Sequence, residues 1–148
     1  MSGINVGRWL AGGIVAGFVV WLIEGLASVL YVSEMQAALE AHGLSMEMGA
    51  GTFVLSLLVS LILGLALIFL YAAARPRFGP GPKTAVIVAV ALWAGGYLLS
   101  LIGYCMMGLF PGNLLVLWGV VGLVEMVVAA LAGGWIYREA EASGAAMP

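Results

Sequence analysis

Charge is scarce in this chain of 148 residues, since only 8% of the side chains are Asp, Glu, Lys or Arg, and the net charge is -2. Hydrophobic residues make up 64% of the sequence, and the mean hydropathy is +1.18. This composition is typical of integral membrane proteins and excludes a soluble globular domain. Because the chain has no basic patch to hold a phosphate backbone, we expect no nucleic-acid partner.

Cysteine and histidine each occur once, as Cys105 and His42. A single cysteine excludes an internal disulfide and a multi-cysteine metal site. The only histidine lies outside the hydrophobic segments, so the sequence contains no Ser/His/Asp, Cys/His or metal-hydrolase constellation. We therefore expect no enzymatic activity and no bound cofactor.

Four hydrophobic segments are each long enough for a helix to cross a bilayer core of about 30 Å, which takes roughly 20 residues. They cover residues 9–32, 50–74, 84–110 and 113–137. The first segment is too long for the apolar region of a signal peptide and is interpreted as an uncleaved span. Prolines and glycines that end helices separate the later spans, in ARPRFGPGPK and FPGN. The sequence thus predicts an all-α four-helix transmembrane bundle that forms a single domain over residues 1–148.

The cations predict how the bundle is oriented. They lie at the N-terminus, between spans two and three, or just after span four, at Arg8, Arg75, Arg77, Lys83 and Arg138. With four spans these positions share one side of the membrane, which the positive-inside rule makes cytoplasmic. We therefore predict a multi-pass protein of the inner (cytoplasmic) membrane with both termini inside the cell. The tail, residues 139–148, has no apolar pattern and is expected to fray.

The longest segment outside the predicted spans is SEMQAALEAHGLSMEMG, between spans one and two. Ser33 and Gln36 have the spacing of a capping box, and Gly43 suits a helix end. A short helix is therefore predicted over residues 34–42, lying along the outer membrane surface with one apolar face.

A metal site is one interpretation of the end of this segment. His42, Met46 and Met48 lie close together, and imidazole and thioether groups can bind Cu(I). The alternative is that the methionines simply insert into the membrane interface beside Leu44.

The overall layout resembles a known class of proteins. Four spans, a short amphipathic helix that ends in a Gly-Leu-Ser turn after the first span, and a basic Pro/Gly loop in the middle are similar to small bacterial integral membrane proteins grouped as a domain of unknown function. The resemblance covers most of the chain in layout and involves no specific motif. It implies a topology and no activity.

Two glutamates interrupt the spans themselves, Glu24 in VVWLIEGLAS and Glu125 in VVGLVEMVVAA. An acidic residue at the centre of a spanning helix costs about 3 kcal/mol on insertion scales, so it is normally kept away from lipid. Both glutamates lie on small-residue faces, where helices pack closely. No Lys, Arg or His lies in any span, so neither carboxyl has a cationic partner from this chain, and we expect at least one of them to carry a proton.

Polar faces on the other spans complete a predicted buried layer near the middle of the membrane. Counting from the cytoplasmic ends at 1.5 Å per residue places most of its members within about 6 Å of depth. The layer consists of Glu24, Ser28, Ser56, Ser60, Tyr97, Ser100, Tyr104 and Glu125. Either these groups hold the helices together through hydrogen bonds, or they bind a proton, a metal ion or an organic cation.

Two functions fit this pattern. The favoured one is a non-enzymatic accessory or assembly subunit whose glycine faces pack against another membrane protein or further copies of the chain. Those faces contain Gly12, Gly13, Gly17, Gly95, Gly96, Gly133 and Gly134. The alternative is a small oligomeric proton- or cation-coupled transporter, with Glu24 and Glu125 as coupling acids and Tyr97 and Tyr104 lining the site. In both cases the lipid bilayer is a partner.

Overall fold

A computed structural model describes residues 4–46 and 49–137, which contain helices and short connections but no strand. The helices are α1 (Val6–Ser28), α2 (Val32–Ala41), α3 (Ala50–Phe78), α4 (Pro82–Leu92), α5 (Leu99–Met107) and α6 (Gly112–Ile136), and a π-helix (Trp93–Leu98) joins α4 to α5. Four helical segments are long and apolar enough to cross a membrane: α1, α3, the continuous third span Pro82–Met107, and α6. The predicted all-helical four-span architecture is confirmed, and the chain is a multi-pass membrane protein.

The ends of α3 and α5 differ from the sequence prediction. α3 continues through Pro76 to Phe78 instead of ending at residue 74, because a proline in the last turn removes only one hydrogen bond of the helix. α5 ends at Met107, where Gly108 takes the left-handed φ of +66°. Pro111, predicted to end the third span, instead occupies the N-cap position of α6.

α2 begins earlier than predicted, and the predicted capping box is wrong. The helix starts at Val32 with Tyr31 at the N-cap, and no side chain caps it, so Ser33 and Gln36 both lie inside the helix. This happens because a turn of only three residues joins α1 to α2 and leaves Tyr31 in the cap position. Gly43 ends the helix with φ +70°, as predicted.

Close backbone contacts between glycines hold one end of the bundle together. A methyl group added at Gly17 would lie 2.6 Å from Leu61 Cα, and one added at Gly12 would lie 2.7 Å from the carbonyl oxygen of Gly133. A methyl group added at Gly64 would clash with the backbone of Gly17 more severely still. Small residues at such crossings let helices approach within a membrane, where lipid supplies no hydrophobic force to drive them together.

This part of the molecule, the closed half, comprises residues 6–20, 60–92 and 126–137. Its core consists of Ala16, Val20, Leu67, Ile68, Tyr71, Ala72, Ala85, Val88, Ala89, Met126, Ala129, Ala130 and Tyr137. The described cations Arg8, Arg75, Arg77 and Lys83 lie toward this end of the bundle, and Arg138 and the tail fall outside the described residues. The closed half is therefore both the densely packed and the basic end.

The rest of the four spans, together with α2, forms the open half. Its smaller core joins α5, α6 and the turn before α2 through Tyr31, Leu101, Leu114, Leu115 and Trp118. α3 contributes no residue to this core, and residues 50–59 of α3 are all exposed except Leu57. α3 packs along α4 but has at most slight contact with α5. A gap thus separates α3 from α5 in the open half.

Candidate functional site

A cavity of about 1140 Å³ occupies the open half between α1, α3 and the third span. Ligand pockets usually measure about 300–1,000 Å³, so this one is large enough for a drug-sized molecule. Most of the polar residues predicted from the sequence line it: Glu24, Ser28, Ser56, Ser60, Tyr97, Ser100 and Tyr104. Glu125 is 3% exposed and does not line the cavity itself, but its carboxyl group lies beside that of the lining residue Glu24. The predicted residues thus lie at one place in the fold.

The two glutamates meet inside a single chain, which the sequence alone does not decide. The carboxyl group of Glu125 on α6 lies within hydrogen-bonding reach of that of Glu24 on α1. Oε2 of Glu125 is buried and has no hydrogen-bond partner. Two ionised carboxylates at this separation would repel each other, so the pair requires at least one proton or a cation beside it.

Two tyrosines interact with the carboxyl pair. Tyr31 is buried and donates its hydroxyl proton to Oε1 of Glu24. Tyr97 lies within electrostatic range of both carboxyls and of Tyr104. Within the described residues no Lys, Arg or His lines the cavity, so the polar groups around the pair carry no positive charge.

The π-helix Trp93–Leu98 carries Tyr97 into this site. Such a segment widens the helix and turns the side chains that follow it, and π-helical turns are frequent at functional sites. Trp93 Nε1 donates a hydrogen bond to the carbonyl oxygen of Gly119, 3.0 Å away, which ties the third span to α6. A methyl group at Gly122 would lie 2.7 Å from the Tyr97 ring, so that glycine leaves the space the ring occupies.

Three of the four serines of the polar layer donate their hydroxyl protons within their own helices and not to the carboxyls. Ser28, Ser56 and Ser100 each donate to a carbonyl oxygen three or four residues earlier in their own helix, at 2.8–2.9 Å. Trp21 Nε1 donates to Ser56 Oγ at 3.1 Å and connects α1 to α3. These hydroxyls therefore make the cavity wall polar, but they do not link the helices by hydrogen bonds to Glu24 or Glu125.

Aromatic rings form much of the cavity wall, and the sequence analysis missed several of them. The rings absent from the predicted polar layer are Trp21, Tyr31, Phe53 and Trp118. Trp21 and Phe53 pack edge to face with their centroids 4.8 Å apart. Trp21 precedes Glu24 by three residues and Trp118 precedes Glu125 by seven, so helical spacing places each tryptophan on the same face as a glutamate. This spacing was the signal that could have identified the two tryptophans as site residues.

The Cu(I) site proposed at His42, Met46 and Met48 stays a prediction. Met48 lies outside the described residues. His42 is exposed, and its Nδ1 lies 2.8 Å from the carbonyl oxygen of Ala38. Met46 lines the cavity. No group of three or more His, Cys, Asp or Glu side chains gathers in the part of the chain that the structure describes.

The glycine faces predicted to bind a partner are mostly occupied within the chain itself. The glycines with close neighbours from other helices are Gly12, Gly13, Gly17, Gly133 and Gly134. In contrast, a methyl group at Gly95 or Gly96 would have no atom within 4 Å. Gly96 lines the cavity and Gly95 does not. Among the glycine faces predicted from the sequence, the one on the third span is therefore the face left open within the described residues.

No family model, curated protein or solved structure matches this chain. The resemblance to small four-span membrane proteins therefore remains one of layout, and the site is interpreted from its own geometry.

Proposed function

We propose that this membrane protein has no enzymatic activity and binds a cation at Glu24 and Glu125 in exchange for the proton that the two carboxyls share. This exchange would be the binding step of a proton-coupled transporter. Ionisable residues inside a membrane are costly, and they commonly mark ion pathways and proton relays. One observation carries the proposal: the buried carboxyl group of Glu125 and the half-buried one of Glu24 lie together at a large cavity that no described Lys, Arg or His lines.

The physical link between proton and cation is charge balance. With one proton the pair carries a single negative charge, which Tyr31 partly offsets through its hydrogen bond to Glu24. A cation that enters the cavity would stabilise the second negative charge, so the proton would leave. Binding of the cation and release of the proton are then two sides of one equilibrium and must depend on each other reciprocally.

An accessory or assembly role, the other function considered, has less support. It depended on glycine faces that are free to pack against a partner, and most of those glycines already contact helices of the same chain. Packing alone also gives no reason for a large cavity beside two carboxyls. Both glutamates come from one chain, so in a homo-oligomer we expect each copy to contain its own site.

We also propose that the closed half faces the cytoplasm, so that both termini lie inside the cell and α2 lies at the outer surface of the inner membrane. The basic residues at the closed end support this orientation. A reporter that is active only in the cytoplasm should therefore work when fused to the C-terminus and fail when inserted after Gly43. The opposite pattern would reverse the orientation.

Proton release tests the proposed exchange directly. Purified protein in weakly buffered detergent solution is mixed with sodium chloride, guanidinium chloride or tetraphenylphosphonium chloride, and the pH change is recorded. We expect at least one of these cations to release up to one proton per chain from the wild type. Glu24→Gln and Glu125→Gln should release none, because each removes one member of the pair.

Glu40→Gln is the matched control, because Glu40 is an exposed glutamate on α2 that is distant in sequence from both members of the pair. It should release as many protons as the wild type. If none of the three cations displaces a proton, or if the glutamine variants behave like the wild type, the proposed function is wrong.

A further inference from the structure

We infer that the cation is a hydrophobic organic monocation of the quaternary ammonium or phosphonium class, and that it enters from the lipid through the gap between α3 and α5. The inference rests on the proposed function and adds the class of ligand and its route. It follows from the composition of the cavity wall and from the place where the wall is incomplete.

The wall is suited to a cation that carries apolar groups. Six aromatic side chains line the cavity: Trp21, Tyr31, Phe53, Tyr97, Tyr104 and Trp118. Aromatic faces attract cations, and most strongly when the cation is poorly hydrated, as quaternary ammonium groups are. The methionines Met35, Met46 and Met126 add flexible apolar contacts. An organic cation would therefore find both its charge and its apolar surface accommodated.

A metal ion fits this wall less well. Ca²⁺ takes six to eight oxygen ligands, and Mg²⁺ requires near-octahedral oxygen coordination. The pair offers carboxyl oxygens from only two residues, at most four ligand atoms, which is fewer than either ion takes. The described residues contain no larger cluster of His, Cys, Asp or Glu.

The charge count agrees with a monovalent ligand. After losing its shared proton the pair carries two negative charges, one of which is partly offset by the hydroxyl of Tyr31. Oε2 of Glu125, buried and without a hydrogen-bond partner, is the acceptor that the protein itself leaves unsatisfied. A bound monocation returns the site to the single net negative charge that the pair had with its proton. One cation is therefore exchanged for one proton.

The opening in the wall faces sideways, toward the hydrocarbon. Gly96 lies near the middle of the third span, lines the cavity and is nevertheless exposed. Ser56, on the facing side of α3, also lines the cavity and is exposed. Because α3 has at most slight contact with α5, no helix among the described residues closes this side. A ligand that dissolves in the membrane reaches the cavity here without crossing the bundle.

Equilibrium binding of radiolabelled tetraphenylphosphonium to protein in vesicles of phosphatidylcholine tests the ligand class, with protein-free vesicles correcting for uptake by lipid. We expect saturable binding of one tetraphenylphosphonium per chain, at least tenfold tighter than that of tetraethylammonium, which has the same charge but no aromatic groups. Trp118→Leu should weaken it about tenfold. Phe69→Leu, an aromatic substitution in the closed half, should leave it unchanged.

Two glycine variants test the route, since neither glycine has an atom within 4 Å of an added methyl group and both variants should fold. Gly96→Leu places a side chain in the opening and should slow the association of tetraphenylphosphonium at least tenfold. Gly95→Leu adds the same side chain beside the opening, outside the cavity lining, and should associate like the wild type. Equal association rates for the two variants would overturn the lateral route.

The outcomes separate the two proposals. If sodium or guanidinium releases protons from the pair but tetraphenylphosphonium neither binds saturably nor releases any, the proposed exchange survives and the inferred ligand class is wrong. If tetraethylammonium binds as tightly as tetraphenylphosphonium, the role of the aromatic wall is wrong. If no cation binds or releases protons, both proposals fail together.

Discussion

The closed and open halves of this bundle are made from the same four spans, but opposite kinds of residue shape them. In the closed half, Gly12, Gly17 and Gly64 bring helix backbones into direct contact. In the open half, Trp21 and Trp118 keep the helices around a cavity. The difference shows that a small membrane protein can support an internal cavity when one end of the bundle is packed tightly enough to fix the positions of the helices.

The carboxyl pair lies where the two kinds of packing meet. Glu24 follows Gly17 by seven residues on α1, about two turns beyond the close crossing with α3. Glu125 directly precedes Met126, which belongs to the core of the closed half and also lines the cavity. Glu125 is therefore anchored in the tightly packed part of the molecule, while Glu24 faces the cavity of the open part, so a ligand in the cavity meets the pair through Glu24.

The largest effect is expected from breaking the closed half. Gly17→Leu forces a side chain into the backbone of α3 and should cost more than about 3 kcal/mol of unfolding free energy, so that little folded protein is recovered. Gly25→Leu, on the same helix in the open half, meets no atom within 4 Å and should fold normally. Chromatography in mild detergent and unfolding in sodium dodecyl sulfate compare the two variants. Similar losses would mean that the two halves are equally packed.

A smaller effect is expected in the reactivity of thiols placed in the two halves. In a Cys105→Ser background, Ser100→Cys places a thiol in the cavity wall, and Ala89→Cys places one in the closed core, where Ala89 is 0% exposed. N-ethylmaleimide, which enters membranes, should react with the cavity thiol at least about 100-fold faster, since the core thiol reacts only during local opening. Equal rates at both positions would contradict an open cavity.

The smallest effect is expected within the site. Gly122→Ala places a methyl group against the ring of Tyr97 and should shift that ring, with a cost near 1 kcal/mol and a severalfold weaker cation affinity. Gly119→Ala, one turn earlier on α6, has its nearest contact at 3.3 Å from Leu101 Cδ1 and should change affinity less. The measurement is tetraphenylphosphonium binding to both variants. A stronger effect of the Gly119 variant would show that the position of the Tyr97 ring does not matter.

Much of the fold could be predicted because it depends on local sequence patterns. Span length and hydropathy determine the four helices, and the left-handed conformation that Gly43 adopts follows from its lack of a side chain. The capping box at Ser33 and Gln36 failed because the preceding turn, three residues long, decides where α2 starts. A capping motif does not set the start of a helix when the preceding turn is too short to place that motif at the N-cap.

The site was predictable only in part, for a related reason. Helical spacing indicated which residues share a face with Glu24 and Glu125, and several of those residues lie at the cavity of the open half. Spacing does not show how far apart the helices stand, so the gap between α3 and α5 was not foreseen. The π-helix around Tyr97 was also missed, because no residue pattern in WAGGYL distinguishes it from an ordinary α-helical turn.

The most direct test of the account is an infrared difference spectrum of the protein in lipid vesicles, recorded with and without tetraphenylphosphonium at neutral pH. We predict that cation binding removes a carbonyl band of a protonated carboxyl group and adds carboxylate absorption. Glu24→Gln and Glu125→Gln should abolish this change, and Glu40→Gln should preserve it. If the protonated band of the wild type is unchanged by every cation tried, the two glutamates serve only to hold α1 against α6, and the account is contradicted.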